Sequence, residues 1–340
     1  MCPGEGIQRK MQNVMLEGEL NIEQLPDPEL GYQPEWDRKW WTPALGDRDL
    51  PRLTIVTPSF NQGRFIEQTI RCILLQNYPD LEYIIVDGGS TDDSIRIIRK
   101  YERWLTFWGS EPDKGMYDAL NKGFARSTGE IMGWSPTGDL YVPGALQSVG
   151  SAFRSEAQVE WVTSAWKVKI DEQGNESRRY RVPGFSRRAF SAGLYMTHGN
   201  PAAKYTIQQQ STFWRRSLWD RSGGRMDDSM KGAGDFELWS RFVAGAELYS
   251  IDEPIGVFRT HDGQESVAHA ARMREEAQTA LRRAGGSCMP LWRAKWSRRF
   301  ARLASGNPVL ERFGFDWKAW WLTKDAQTSS FRRERRSIIP

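Results

Sequence analysis

Three short apolar runs in this sequence end in polar turns that carry Asn or Asp. Leu53-Thr54-Ile55-Val56-Thr57 leads into Pro58-Ser59-Phe60-Asn61. Leu81-Glu82-Tyr83-Ile84-Ile85-Val86 leads into Asp87-Gly88-Gly89-Ser90-Thr91-Asp92. Glu130 to Trp134 leads towards Thr137-Gly138-Asp139. Residues of these types suit two tasks. Asp87 could accept hydrogen bonds from the N–H of a nucleotide base, and a second carboxylate could hold a divalent ion against phosphate oxygens. Asp and Ser also serve routinely as turn and cap residues ahead of a helix, so Asp87 taken alone reads first as a turn residue. The usual nucleotide loops are missing. There is no GxxxxGK followed by Ser or Thr, and Gly88-Gly89-Ser90-Thr91-Asp92 is not GxGxxG.

The elements that must position these turns can be read from periodicity. Leu53–Thr57 and Leu81–Val86 are short, β-branched and apolar, which predicts buried strands. Ile66, Ile70, Ile73 and Leu74 fall at helical spacing, and Asn77-Tyr78-Pro79-Asp80 stops that helix. Ile95, Ile97 and Ile98 lie on a second helix, Trp104–Gly109 on a third strand, Asp118–Ala125 on a third helix and Glu130–Trp134 on a fourth strand. Strands alternating with helices over short links predict an α/β fold with a mostly parallel sheet. In such sheets ligands bind beyond the carboxyl ends of the strands, where the three turns lie. Farther on, strands are expected at Trp161–Ser164, Trp166–Ile170, Gln209–Phe213, Leu248–Ile251 and Ile255–Phe258. A hairpin turn is expected at Asp171–Asn175 and an amphipathic helix over Phe236–Ala244.

Composition bounds the class. The chain has 340 residues, 39% hydrophobic and 26% charged, which excludes collagen-like, disordered and disulfide-scaffold proteins. No apolar run is long enough for a transmembrane helix, and the N-terminus lacks a secretory pattern. Cys2, Cys72 and Cys288 are scattered, so neither a disulfide framework nor a CxxC metal site is expected, and a reducing cytoplasm fits best. The net charge of +4 conceals an asymmetry. Residues 271–340 hold 16 Lys/Arg against 6 Asp/Glu, and the remainder of the chain is mildly acidic. The basic tail carries five of the 16 tryptophans: Trp292, Trp296, Trp317, Trp320 and Trp321. Trp292, Trp296 and Phe300 recur every four residues among Arg and Lys. That pattern is a basic amphipathic helix suited to an anionic membrane, or to packing on the body with Arg outward. No recognition motif accompanies the charge, so nucleic acid is not expected as a partner. Arg332–Arg336 are expected to be mobile. At the other end, Pro26, Pro28, Pro34 and Pro43 break any long helix, and Trp36, Trp40 and Trp41 are expected to anchor the first 50 residues on the body.

Taken in order, these motifs resemble glycosyltransferase family 2. The resemblance lies in Val56-Thr57-Pro58-Ser59-Phe60-Asn61, Ile84 to Asp92, Ser110-Glu111-Pro112-Asp113-Lys114-Gly115, Gly129-Glu130-Ile131 and Pro143-Gly144-Ala145-Leu146, and it covers roughly residues 51–266. It implies a GT-A fold, a Rossmann-like mixed sheet flanked by helices, with inversion at the sugar carbon. It further implies a nucleoside-diphosphate sugar donor, most simply a UDP-sugar, a glycan or lipid-linked acceptor, and a divalent Mn²⁺ or Mg²⁺ ion. Residues 1–50 would be an N-terminal extension, 51–266 the transferase domain and 267–340 a basic, mainly helical C-terminal region. Such an enzyme would be cytoplasmic and could rest on the inner membrane face.

By the same resemblance, Thr57, Pro58, Asn61, Asp87 and Asp113 would meet the nucleotide. Asp139 would hold the metal, and His261, in Arg259-Thr260-His261, would touch the metal or a phosphate. Asp235, in Gly234-Asp235-Phe236-Glu237, would take the acceptor proton, with Glu237 as its rival. Gln209 and Gln210 would line the acceptor side, since glutamine amides suit sugar hydroxyls. Two acids at a helix start also complement the helix dipole without catalysis. The metal slot departs from the family pattern. It reads Thr137-Gly138-Asp139, so the middle Asp of the usual triplet is Gly138, and Pro136 replaces a usual Asn. That departure motivates the alternative of a noncatalytic relative that binds a nucleotide sugar or a glycan.

Overall fold

A short helix, α1 (Glu35–Trp40), leads into the sheet in a computed structural model. The structure describes residues 22–29, 32, 35–40, 42, 49–196, 200–261, 270–304, 317–325 and 328–338. From Leu53 the alternation follows the sequence pattern: β1 (Leu53–Ser59), α2 (Gly63–Leu74), β2 (Leu81–Asp87), α3 (Ser94–Lys100), β3 (Phe107–Ser110), α4 (Met116–Phe124) and β4 (Ile131–Trp134). There follow β5 (Leu140–Tyr141), α5 (Ala145–Ser155), β6 (Trp161–Ser164), β7 (Trp166–Ile170), β8 (Glu176–Arg181) and α6 (Arg187–Ser191). Then come β9 (Thr212–Arg215), α7 (Arg216–Arg221), α8 (Gly234–Gly245), β10 (Leu248–Ile251) and β11 (Gly256–Arg259). The C-terminal region supplies α9 (Ala270–Arg283), α10 (Leu291–Ala304), β12 (Trp317–Lys324) and β13 (Phe331–Ile338).

Nine strands form one sheet in the order β13-β12-β10-β6-β9-β4-β1-β2-β3, and β5-β11-β7-β8 form a second. β1 pairs in parallel with β2 on one side and β4 on the other. The chain therefore winds outward through β2 and β3, then returns past β1 to β4. That reversal creates a switch point, where adjacent loops diverge and leave a crevice. All seven residues of β1 are buried because both faces of the sheet are covered. Successive side chains serve two different cores. Val56, Ile84, Val86 and Trp134 face the layer containing α4 and α8, while Ile55, Ile85 and Ile131 face the layer containing α2 and α5. Tryptophans dominate the first core. Trp134 of β4 stacks on Trp239 of α8 with ring centroids 5.4 Å apart, and Trp239 stacks in turn on Trp161 at 5.6 Å. Each such ring buries a large area, so α8 is pinned to the sheet one turn after its acidic start.

The terminal regions are held by contacts that the sequence did not show. The N-terminal extension is held by ions. Arg71 of α2 is buried and donates Nε to Asp37 Oδ1 at 2.9 Å, and Tyr32 donates to the same oxygen at 2.7 Å. The side chains of Trp36 and Trp40, and all of Trp41, lie outside the described residues. At the other end, the expected helical region is present as α9 and α10, but the chain then returns as a hairpin. β12 pairs in parallel with β10, and β13 pairs antiparallel with β12 from Trp317↔Ile338 to Lys324↔Phe331. Arg332–Arg336, expected to be mobile, are therefore strand residues. Two of the four arginines are matched: Arg333 meets Glu156 at 2.9 Å and Arg336 meets Asp252 at 3.1 Å. The guanidinium groups of Arg181 and Arg336, both paired with Asp252, pack against the Trp321 ring at 4.6 and 4.7 Å. Trp321, Leu322 and Phe331 belong to the buried core, so this hairpin is continuous with the sheet. The expected boundary at 266/267 lies outside the described residues.

Candidate active site

The carboxyl ends of β1, β2, β3 and β4 converge. Ser59, Asp87 and Ser110 are register neighbours across the first three strands. Thr137, after β4, donates its hydroxyl to Pro58 O at 3.1 Å. Thr57 is buried with its hydroxyl 3.1 Å from the Tyr83 hydroxyl, so it can offer only backbone to a ligand.

Asp87 is fully buried and builds the turn after β2. Its Oδ2 accepts from the N–H groups of Gly89 and Ser90 at 3.1 and 2.8 Å and from the Ser110 hydroxyl at 2.7 Å. Its Oδ1 accepts from the Ser90 hydroxyl at 2.6 Å. Asn61, in the left-handed region with φ of 51°, ties the neighbouring turn to this one. It accepts from Thr91 N–H at 2.9 Å and donates its own N–H to Ser90 Oγ at 2.7 Å. Asp113 lies over the same turn. A Cβ added at Gly88 would sit 2.7 Å from Asp113 Oδ2, so glycine there lets the carboxylate approach. Asp113 Oδ1 accepts from Gly115 N–H at 2.7 Å, and the residue stays half-buried. Of the acids at this edge, Asp113 is thus the more open to a ligand and Asp87 the more enclosed.

Asp139 lies on the loop after β4. Its Oδ1 accepts from Arg259 N–H at 3.1 Å, and burial pushes its carboxyl up to about 7, opposed by the nearby guanidinium. Thr69 of α2 fixes the loop by accepting from Gly138 N–H at 3.0 Å. Gly138 has φ of 102°, a conformation that favours glycine. This explains the departure in the triplet: an Asp side chain at 138 would be strained. Arg259 is buried at the end of β11, where its Nε donates to Gly138 O at 3.0 Å and its NH1 to Glu172 O at 2.8 Å. The sequence pattern gave this residue no role, although it ends an apolar strand just as Asp87 does. His261 lies close by but faces α2: its ring is 5.2 Å from Phe65, and its Nδ1 is 3.3 Å from Arg64 NH2. Among the described residues no three His, Cys, Asp or Glu side chains gather around one point. Of these side chains, the Asp139 carboxylate is the oxygen donor that could hold a hard divalent ion such as Mg²⁺.

Asp235 opens α8, half-buried. Its Oδ1 accepts from Phe236 N–H at 2.7 Å, and burial pushes its carboxyl up to about 6. Two contacts bring this helix start to the loop of Asp113, and a third ties it to α9. Lys231 donates its Nζ to Lys114 O. The Tyr117 ring packs on Gly234 so closely that a Cβ there would sit 2.7 Å from it. Glu276 of α9 accepts the N–H groups of Gly232 and Ala233 at 2.9 and 3.1 Å. Glu237 faces elsewhere. Both its oxygens accept from Arg241 at 2.8 Å, which commits it to an ion pair within the helix. Gln209 is half-buried ahead of β9. Gln210 is 1% exposed and packed under Gly256, and its Nε2 has no hydrogen-bond partner among the described residues. Sequence reading missed Lys231, Tyr117 and Glu276, because each acts through a contact between segments far apart in the chain.

The family model "Glycosyl transferase family 2" matches residues 54–219. A glycosyltransferase of Mycobacterium tuberculosis, MT1564, is 29% identical over 177 residues, which is 51% of this chain and 62% of that protein. The chain thus spans less than two thirds of that relative's length. The GalNAc(5)-diNAcBac-PP-undecaprenol beta-1,3-glucosyltransferase of Campylobacter jejuni is 25% identical over 142 residues, 41% of this chain and 45% of that one. Among solved structures, S. aureus TarS 1-349 in complex with UDP-GlcNAc superposes with a TM-score of 0.54 at 13% identity, covering 76% of this chain and 74% of that one. That likeness is one of fold. The matched motifs, the switch-point crevice and the GT-A architecture agree, and the chain carries a glycosyltransferase family 2 domain over residues 54–219.

Proposed function

We propose that this protein is an inverting glycosyltransferase that moves a sugar from a nucleoside-diphosphate sugar, most simply a UDP-sugar, to a hydroxyl of a glycan or lipid-linked acceptor in cell-surface glycan or polysaccharide synthesis. One observation carries the reading. The loop of Asp113, at the nucleotide end of the sheet, is tied through Lys231 and Tyr117 to the start of α8, where Asp235 has a carboxyl raised to about 6. A base of that strength is ionised at neutral pH and still basic enough to accept a proton in the transition state. Asp113 and the backbone of the Thr57–Pro58 segment would meet the nucleotide, with Asp87 and Asn61 shaping the turn they rest on. Asp139 would hold a Mn²⁺ or Mg²⁺ ion, which when bound neutralises the departing diphosphate. The acceptor oxygen attacks the sugar carbon from the face opposite the diphosphate, and its proton passes to Asp235. The bond from carbon to phosphate oxygen breaks as the new glycosidic bond forms, which inverts the centre.

A lipid-linked acceptor agrees with the acceptor named for the C. jejuni relative and with the basic C-terminal region. A cytoplasmic enzyme working at the inner membrane face belongs to the same reading, and no helix among the described residues is long and apolar enough to cross a membrane. The test is turnover of a panel of UDP- and GDP-sugars, with Mn²⁺ and with chelator, in the wild-type chain and in Asp235→Asn. Donor-specific turnover that needs the metal and Asp235 is the expected result. Saturable donor binding without any turnover would favour the noncatalytic alternative, which Gly138 motivates.

A further inference from the structure

Residues 291–304 contain five basic side chains and no acidic one. On a helix each residue turns by about 100°. Trp292, Trp296 and Arg299 therefore share one face of α10, flanked by Leu291 and Lys295 on one side and Arg293 on the other, while Ala294 points the opposite way. The exposures follow this arrangement. Trp292 is 65% exposed, Trp296 54% and Leu291 41%, whereas Ala294 is 2% exposed and anchors the helix to the core. Arg293, Lys295 and Arg299 are exposed. Apart from Phe60, these three are the exposed large hydrophobic side chains among the described residues. Two of the tail's other tryptophans do not contribute: Trp320 and Trp321 are built into the sheet, and the hairpin arginines Arg333 and Arg336 meet Glu156 and Asp252.

We propose that this face of α10 docks the protein on an anionic lipid surface. Charge complementarity selects that occupant. Indole rings set among cations that form no ion pair among the described residues match the boundary between anionic headgroups and acyl chains, where Trp partitions with its apolar body in and its N–H towards water. The docking face is also joined to the catalytic side. The link between α9 and α10 pairs with the C-terminal end of α6, through Ser287 N–H to Ser191 O and Met289 N–H to Ala192 O, both 2.9 Å. On α9, Glu276 holds the loop that opens α8. An acceptor embedded in the bilayer would thus be presented on the side of Asp235, a consequence that rests on the glycosyltransferase reading. The surface itself does not.

The experiment is co-sedimentation of the full chain with phosphatidylglycerol or phosphatidylcholine vesicles, at low and at high salt. The wild type should bind the anionic vesicles and be released as salt rises, because charge attraction decays over about 8 Å at physiological ionic strength. The triple change Arg293→Gln, Lys295→Gln, Arg299→Gln should weaken partitioning by about a hundredfold. The double change Trp292→Ser, Trp296→Ser should weaken it by at least about tenfold. Both variants remove exposed side chains, so their melting temperatures and soluble donor turnover should stay at the wild-type level. Failure of the full chain to bind phosphatidylglycerol at low salt overturns the proposal. So does equal binding by the variants, or a wild-type dimer that the tryptophan changes dissociate. Vesicle binding by a protein that turns over no donor would overturn the function proposed above and leave this surface standing.

Discussion

Replacing Asp139 by Asn should stabilise the protein while disabling it. The carboxyl is raised from 3.8 to about 7 because it is buried with a single N–H on Oδ1 and only the Arg259 charge to help. In the unfolded chain it ionises near the ordinary value, so between these two pH values the folded state binds the extra proton. Stability from this group therefore falls as pH rises through that window, and the loss is complete above about pH 7. At about 1.4 kcal/mol per pH unit the loss is of the order of 4 kcal/mol at pH 8 and about half that at pH 5.5. An Asn keeps the oxygen that accepts from Arg259 N–H and has no charge to desolvate. In chelator at pH 8, Asp139→Asn should melt higher than wild type by about 5 °C, given the unfolding entropy of a chain this size. The gain should halve by pH 5.5. With UDP and Mn²⁺ the order should reverse, because only the wild type gains from a ligand that binds the folded state. Differential scanning calorimetry over pH reads all three. A variant that melts at or below the wild type at pH 8 in chelator, or a difference that does not change with pH, would refute the account of Asp139 as a desolvated carboxylate held ready for a cation.

Asp235→Asn should lower turnover by about 10²–10⁴-fold with little change in donor affinity, and wild-type turnover should rise with pH through about 6 as the base ionises; stopped assays over pH check both. Glu237→Gln should act on stability more than on rate, since it breaks the Arg241 pair and leaves Asp235 in place; melting and turnover measured together separate the two effects. Trp321→Ala should cost about 3–5 kcal/mol by emptying a buried site beside Arg181 and Arg336, and removal of the chain after Ala304 should destabilise the sheet by exposing β10; denaturant unfolding measures each. Asp37→Asn should cost about 3–5 kcal/mol by leaving the Arg71 charge buried without its partner, with faster proteolysis of the first 50 residues as the readout.

Much of this protein is set by local sequence. Uninterrupted β-branched runs such as Leu53–Thr57 can only be satisfied in a doubly covered strand, and the helical spacing of Ile66, Ile70 and Ile73 leaves one arrangement for the link that follows. Once the strands alternate with helices, their carboxyl ends must gather, so the positions of Asn61, Asp87 and Asp139 at one edge were legible from order alone, while Asp113 entered through the family resemblance. What each carboxylate does was not. Asp87 and Asp113 look alike in the sequence, yet one is enclosed by Gly89, Ser90 and Ser110 and the other stays half-buried, because that outcome depends on which loops meet. Asp235 and Glu237 stand two residues apart, and only the direction of the helix face gives Glu237 to Arg241. The tail shows the same limit most clearly. Arg332–Arg336 carry a composition that by itself favours solvent, but Glu156, Asp252 and Trp321 come from distant segments and supply the partners that turn this stretch into a strand. Periodicity determines elements because it is a property of neighbours along the chain. Ionisation, burial and partnership are decided by neighbours in space, which only the tertiary structure brings together.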